Sequence, residues 1–177
     1  VVDLESGQNV GKPIASKNPQ IAYGNDVISR VGYTRDHENG LKELQNSVID
    51  GANKSLEELE KQSGFDKGEI SESIYEIVVG GNSTMRSIFF GQNVHNLGVI
   101  PFEPSSKEAL ICNAKTLGIA VHPQAVAYGV PLIGGHAGAD CYKALKFTRL
   151  YEKDEIGMII DIGTNVEYFV EDVGMSL

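Results

Sequence analysis

An α/β fold is predicted by three features of the sequence. The β-branched run "IYEIVVGG" (74–81) closes on two glycines and leads into "NSTMRSIFFG" (82–91), where Asn82 or Ser83 suits a helix N-cap. The same layout recurs where the strand pattern "AVAYGVPLI" (125–133) meets the glycine turn and helical pattern of "GGHAGADCYKALKF" (134–147). Between Gly40 and Ser63, apolar residues Leu41, Leu44, Val48, Ile49, Ala52, Leu56 and Leu59 recur at three- and four-residue steps, the stripe of a helix laid on a core.

Taken in order, Val1–Leu4 and Pro13–Ser16 flank the polar "ESGQNVGK", a connection suited to a hairpin. Residues 26–36 suit a helix capped by Asp26. The long helix 40–63 follows, with Gly64 where a left-handed C-cap belongs. The strand at 74–81 and the short helix at 82–91 come next, then a proline-bearing loop (98–106) and a predicted helix over 107–118. Gly129 and Pro131 interrupt 125–133, which predicts an edge or bent strand. Last, Met158–Ile160 and Val166–Val170 read as two strands of a hairpin.

Composition bounds the function. Apolar residues make up 41% of the 177 and charged residues 22%, an ordinary balance for a chain that buries a core. With 15 basic and 24 acidic residues the formal charge is −9, which argues against nucleic acid or an anionic membrane as the main partner. No apolar run approaches the roughly 20 residues of a membrane span. Cys112 and Cys141 are too few and too far apart for a metal knuckle or disulfide framework and read as reduced thiols of a cytoplasmic protein. The opening Val-Val-Asp-Leu, without initiator Met or leader, reads as a piece of something longer.

Three stretches carry candidate chemistry. In "GMIIDIGTNVEYFVED" (157–172) an apolar strand ends on Asp161 and turns through Gly163, Thr164 and Asn165. A glycine turn lets backbone approach a ligand, and its successive N–H groups form an anion-binding concavity. Thr164 and Asn165 add a hydroxyl and an amide donor, and Asp161 offers a hard oxygen for Mg²⁺. These residue types serve hairpin geometry alone equally well. In "VVGGNSTM" (78–85), Asn82, Ser83 and Thr84 crowd a helix N-terminus, either as a plain cap or as a cap that also meets an anion. In "PLIGGHAGAD" (131–140), Gly134, Gly135 and Gly138 permit close helix–strand approach, with His136 and Asp140 facing a cleft or simply capping the helix. His95 and His122 read as turn residues, and Glu57, Glu58 and Glu60 as the wet face of the long helix. No nucleophilic triad is apparent.

In this order and spacing, "NPQIAYGNDVISRVGY" (18–33), "VVGGNSTM" (78–85), "LGVIPFEP" (97–104), "VHPQAVAYGVPLIGGHAGAD" (121–140) and "DIGTNVE" (161–167) resemble the ATP-dependent reductive activators of corrinoid proteins. The resemblance implies a ribonuclease H-like lobe of the actin, sugar-kinase and heat-shock-chaperone ATPase superfamily, with a mixed sheet and flanking helices. Residues 1–150 would form most of the first lobe, without its first phosphate hairpin, and 151–177 the opening phosphate hairpin of the second. Asp161, Gly163, Thr164 and Asn165 would then face the β- and γ-phosphates of ATP and Mg²⁺, with Asp161 as metal ligand. Asn82, Ser83, Thr84 and Gly135 would line the first lobe's side of the cleft. His136 would lie near the attacking water or the hinge, giving it and Asp161 the catalytic roles. The chain departs from the family pattern at Val166, usually a small residue, and at His136, usually an aromatic.

The implied activity is return of an inactivated Co(II) corrinoid to Co(I). The electron would come from a 2Fe–2S ferredoxin domain outside these residues, itself served by an electron donor. The partner would be a corrinoid protein and the assembly a homodimer; the chain alone should neither hydrolyse ATP efficiently nor carry electrons. Two alternatives stand beside this: a small-molecule kinase of the same superfamily, and a non-catalytic nucleotide-sensing or assembly module. A lone hairpin is marginal in water, so 156–172 is expected to dock on a sheet, in the place of the missing first hairpin beside 74–79.

Overall fold

A computed structural model describes residues 1–135, 138–149, 152, 157–162 and 166–171. Strands β1 (Glu76–Val79), β2 (Leu110–Asn113) and β3 (Val126–Gly129) form a mixed sheet in the order β1–β3–β2. β1 runs parallel to β3 with Val78 opposite Tyr128, and β2 runs antiparallel with Ile111 opposite the same tyrosine. Helices α1 (Val27–Asp36), α2 (Gly40–Ser63), α3 (Ser83–Phe89), α4 (Ala114–Leu117) and α5 (Ala139–Thr148) complete this part. β4 (Gly157–Ile162) and β5 (Val166–Glu171) make a separate antiparallel hairpin.

The helix boundaries follow local chemistry. Asp26 accepts from the Ser29 N–H at 2.7 Å while the Ser29 hydroxyl accepts from the Asp26 N–H at 3.2 Å, a reciprocal cap that starts α1. α2 ends on Gly64 at φ +77°, where any Cβ would be strained. At 24 residues α2 is about 36 Å long and serves two cores. Ile49 packs with Phe89, Phe90, Ala114, Ile119, Ala125 and Ala127 beneath the sheet, whereas Leu44 packs with Val31, Ile88, Val94 and Leu97 against α1.

Four predictions are corrected. The helix expected over 107–118 is strand β2 followed by the single turn α4. Leu110 and Cys112 alternate inward and Ile111 outward, so the segment fits a ladder with β3, and the Asn113 side chain then caps the turn at the Lys115 N–H. The strand expected to be an edge or a bent one, β3, is not at an edge but central; it stops at Gly129, so Pro131 falls beyond the ladder. A Cβ at Gly129 would stand 2.6 Å from the Phe90 ring, which explains the glycine within a strand. The N-terminal hairpin is reduced to one bridge, Val2 with Asn9, and no strand forms over 13–16. Finally, among the described residues β4 and β5 form a ladder of their own, separate from the three-stranded sheet, and β4 packs on α5.

Candidate functional site

The junction after β1 is where two of the three candidate stretches meet. Asn82 is in extended backbone, and its side-chain oxygen accepts from the Met85 N–H at 2.9 Å, capping α3. The Ser83 hydroxyl, only 1% exposed, donates to the Gly134 carbonyl at 2.7 Å. Thr84 is buried beside it. The Gly81 carbonyl accepts from the Ala139 N–H, the first residue of α5, at 3.0 Å. Gly135 faces the Phe102 carbonyl so closely that a Cβ would lie 1.7 Å from that oxygen. The starts of α3 and α5 are therefore stitched together, and 78–85 form one polar corner with 131–135 and 138–139. The side chains of Asn82 and Ser83 are engaged in holding this corner. His136 lies outside the described residues.

The third stretch is the β4–β5 hairpin. Its register sets Asp161 opposite Glu167 and Ile162 opposite Val166, so Gly163, Thr164 and Asn165 are the three residues that join the strands. Those three, and the Asp161 side chain, lie outside the described residues. Among the described residues no cluster of three His, Cys, Asp or Glu could hold a metal ion. Cys112 is a free thiol, half-buried, which burial pushes up in pKa, against a smaller opposing pull from Thr116. The described surface also has an open groove of about 650 Å³ between residues 14–23 and α2, and none of the candidate residues lines it.

Several polar residues that organise the corner escape the sequence reading. Arg86 is 1% exposed and donates to three carbonyls: Val130 at 2.9 Å, and Ser106 and Glu108 each at 3.1 Å. Burial lowers its pKa. Arg30, also buried, donates to the Gly24 carbonyl at 3.1 Å and points a second nitrogen at the Met85 sulfur, 2.8 Å away. Gln20 donates to the Leu44 carbonyl and Gln45 to the Phe89 carbonyl, each at 3.0 Å. The segment 18–33 thus anchors α1 to α2 and α3. The signal available in the sequence was polar residues set among apolar ones, as Arg86 is before Ile88, Phe89 and Phe90.

One reading is overturned. Glu60 is not on the wet face of α2: it is 3% exposed, and its carboxylate accepts from the N–H groups of Gly68, Ile70 and Ser71 at 3.0, 3.1 and 2.8 Å. It binds the loop that carries the chain from α2 back toward β1. His95 opens a short 3-10 helix (His95–Gly98), with Nε2 3.3 Å from the Thr34 carbonyl oxygen, and His122 lies in the loop before β3 with its ring 4.1 Å from that of Tyr75, tilted by 31°.

These features define an α/β lobe with a mixed sheet, flanking helices and two glycine-led helix starts converging on one corner. The chain belongs to the family described as the RACo middle region, which matches residues 1–153. It is 31% identical over 153 residues to the corrinoid activation enzyme RamQ of Eubacterium limosum, covering 86% of this chain and 25% of that protein. It also superposes on a solved structure named reductive activator for corrinoid, iron-sulfur protein, with a TM-score of 0.84 and 30% identity over 97% of this chain and 26% of the other. The chain thus spans about a quarter of the length of either relative.

Proposed function

We propose that the chain is part of the ATPase portion of a reductive activator that returns a Co(II) corrinoid to Co(I) on a corrinoid protein. The observation that carries this is the β4–β5 register: a carboxylate residue one position before the strand end, then a loop of glycine, threonine and asparagine. That donor set suits a nucleotide's terminal phosphates and their Mg²⁺, with Asp161 as the metal ligand and Gly163, Thr164 and Asn165 on the oxygens. The relatives' names and the order of the motifs support the same reading.

In this reading residues 1–150 are most of the first lobe and 151–177 the start of the second. The polar corner of Asn82, Ser83, Thr84 and Gly135 forms the first lobe's side of the cleft, and the role assigned to His136 is the one the resemblance implies, near the attacking water or the hinge. Because Asn82 and Ser83 spend their side chains on Met85 and Gly134, their part is to hold the backbone of the corner in place. Bound MgATP supplies the free energy of γ-phosphate cleavage, by positioning and charge stabilisation without a covalent protein intermediate. It biases the activator's conformations only by its differential affinity for them.

The single electron must arrive from outside these residues. A 2Fe–2S cluster takes four thiolates, and the chain has two cysteines. A ferredoxin-type domain elsewhere in the longer polypeptide, reduced by its own donor, fits that need. In this reading the protein works in the cytoplasm as a homodimer. Among the described residues no helix is long and apolar enough to cross a membrane.

The test uses the full-length protein that carries this chain. ATP turnover should rise on adding a Co(II)-corrinoid protein, and Asp161→Ala and Thr164→Ala should each abolish most of it. Wild-type turnover in both variants would overturn the assignment. Turnover that instead follows a hydroxyl or carboxylate acceptor, with no response to the corrinoid protein, would make the protein a kinase.

A further inference from the structure

Met85 is half-buried in the first turn of α3, and two hydrogen-bond donors of the segment 18–33 are turned toward its sulfur. Arg30 Nη1 stands 2.8 Å from it and Asn18 Nδ2 3.9 Å. Both donors are fixed by other bonds. Arg30 Nε donates to the Gly24 carbonyl at 3.1 Å. The Asn18 side-chain oxygen accepts from the Gln20 N–H at 3.0 Å, which leaves its amide nitrogen on the sulfur side. Arg30 is 6% exposed, and none of the ion pairs among the described residues includes it.

A thioether sulfur is a weak acceptor, so it is a poor match for two aimed donors, one of them a buried cation that needs good acceptors. A sulfoxide oxygen is a strong acceptor. The 3.9 Å between the sulfur and Asn18 Nδ2 leaves room for one oxygen, bonded to sulfur and hydrogen-bonded to the amide at the usual N–H···O distance of about 2.9 Å. The 2.8 Å gap to Arg30 leaves none, so the oxygen belongs on the Asn18 side, with the guanidinium beside it. Oxidation of a packed methionine ordinarily disrupts its surroundings, because the side chain becomes polar and chiral. Here the surroundings already hold the donors that the oxidised form needs.

We propose that Met85 is a modification site: a hydroperoxide oxidises it to the sulfoxide, and Asn18 and Arg30 hold the new oxygen. A sulfur lone pair attacks the terminal peroxide oxygen as the O–O bond breaks, and the proton on that oxygen passes to the departing one. The sulfur gives up two electrons, the peroxide takes up two, and water or an alcohol leaves. Met85 lies where the segment 18–33 meets α3, and its own N–H is held by the Asn82 cap. Oxidation therefore replaces a weak polar contact at this junction by strong ones and fastens the start of α3. With the oxygen on the Asn18 side, one of the two sulfoxide epimers forms in excess. None of this depends on the nucleotide reading above.

The experiment treats the full-length protein with hydrogen peroxide and maps its peptides by mass. The epimers are then told apart with the two stereospecific methionine sulfoxide reductases. Met85 should carry one epimer in about fivefold excess, the preference that one hydrogen bond brings. Met158, 57% exposed, should show the two nearly equal and serves as the internal reference. Hydrogen exchange across 83–89 should be no faster in the oxidised wild type than in untreated protein. Asn18→Ser keeps an acceptor for the Gln20 N–H and removes the amide that faces the sulfur. Once oxidised, that variant should exchange about fivefold faster over 83–89, and its epimer excess should shrink. The wild-type epimer ratio needs no variant and decides even if Asn18→Ser fails to fold. Near-equal epimers at Met85, or a Met85 left unoxidised where Met158 is fully converted, overturns the assignment. So does an oxidised wild type whose α3 exchanges as fast as that of oxidised Asn18→Ser.

Discussion

Replacing Glu60 by alanine tests the packing logic of the lobe directly. The change leaves three backbone N–H groups without an acceptor, those of Ile70 and Ser71 in buried surroundings and that of Gly68 half-buried. An unsatisfied buried donor costs about 1–3 kcal/mol, so the two buried ones set a loss of roughly 3 kcal/mol, since some relaxation and water access reduce the sum. For a chain of this size that corresponds to a fall in Tm of roughly 6–12 °C.

The pH dependence carries a second signature. Burial pushes the Glu60 carboxyl up, but the N–H groups of Gly68, Ser71 and Ile70, with the Ser71 hydroxyl, together outweigh it and leave the pKa below the ordinary value. The group therefore adds stability that is fully present above the unfolded carboxylate pKa of about 4.3. That increment is lost as pH falls through the lower folded pKa. Thermal melts followed by circular dichroism at pH 7 and across pH 5–2 read both effects. Glu60→Gln keeps one acceptor oxygen and should lie between wild type and alanine at pH 7, with a flatter acid limb. A Glu60→Ala protein that melts within 2 °C of wild type, or an unchanged acid limb in Glu60→Gln, would refute the reasoning (both limits set by the roughly 3 kcal/mol estimate).

Two further outcomes can be checked on the same protein. Gly135→Ala would put a Cβ 1.7 Å from the Phe102 carbonyl oxygen, so the 102–135 contact must separate; a melt should show destabilisation of at least about 2 kcal/mol, and hydrogen exchange should be faster at Ala139, whose N–H serves Gly81. The Tyr33 hydroxyl, hydrogen-bonded to Glu43, is pushed up to about 12, and a spectrophotometric titration should show Glu43→Gln returning it toward 10.

Much of this architecture is legible along the chain because its determinants are local. The stripe from Leu41 to Leu59 and the glycine after Ser63 define α2 without reference to the rest of the fold, and Asp26 and Asn82 are caps wherever their helices pack. The strand–glycine–helix order at 74–91 likewise announces the corner. Failures occur where partners are distant in sequence. Leu110–Asn113 becomes a strand because β3 offers it a ladder, a fact no window of neighbours contains. Glu60 and Arg86 have the composition of surface residues; only the return of the chain brings backbone N–H groups to one and carbonyls to the other. The phosphate-binding role proposed for Gly163, Thr164 and Asn165 rests on residue types that suit a plain hairpin turn equally well.

The helix from Gly40 to Ser63 presents Ile49 to the hydrophobic cluster under the sheet and Leu44 to the one against α1. Displacing this shared helix uncovers both clusters at once. Loss of order on heating or in denaturant should accordingly be one concerted event across both, with amides on the inner side of that helix among the last to exchange.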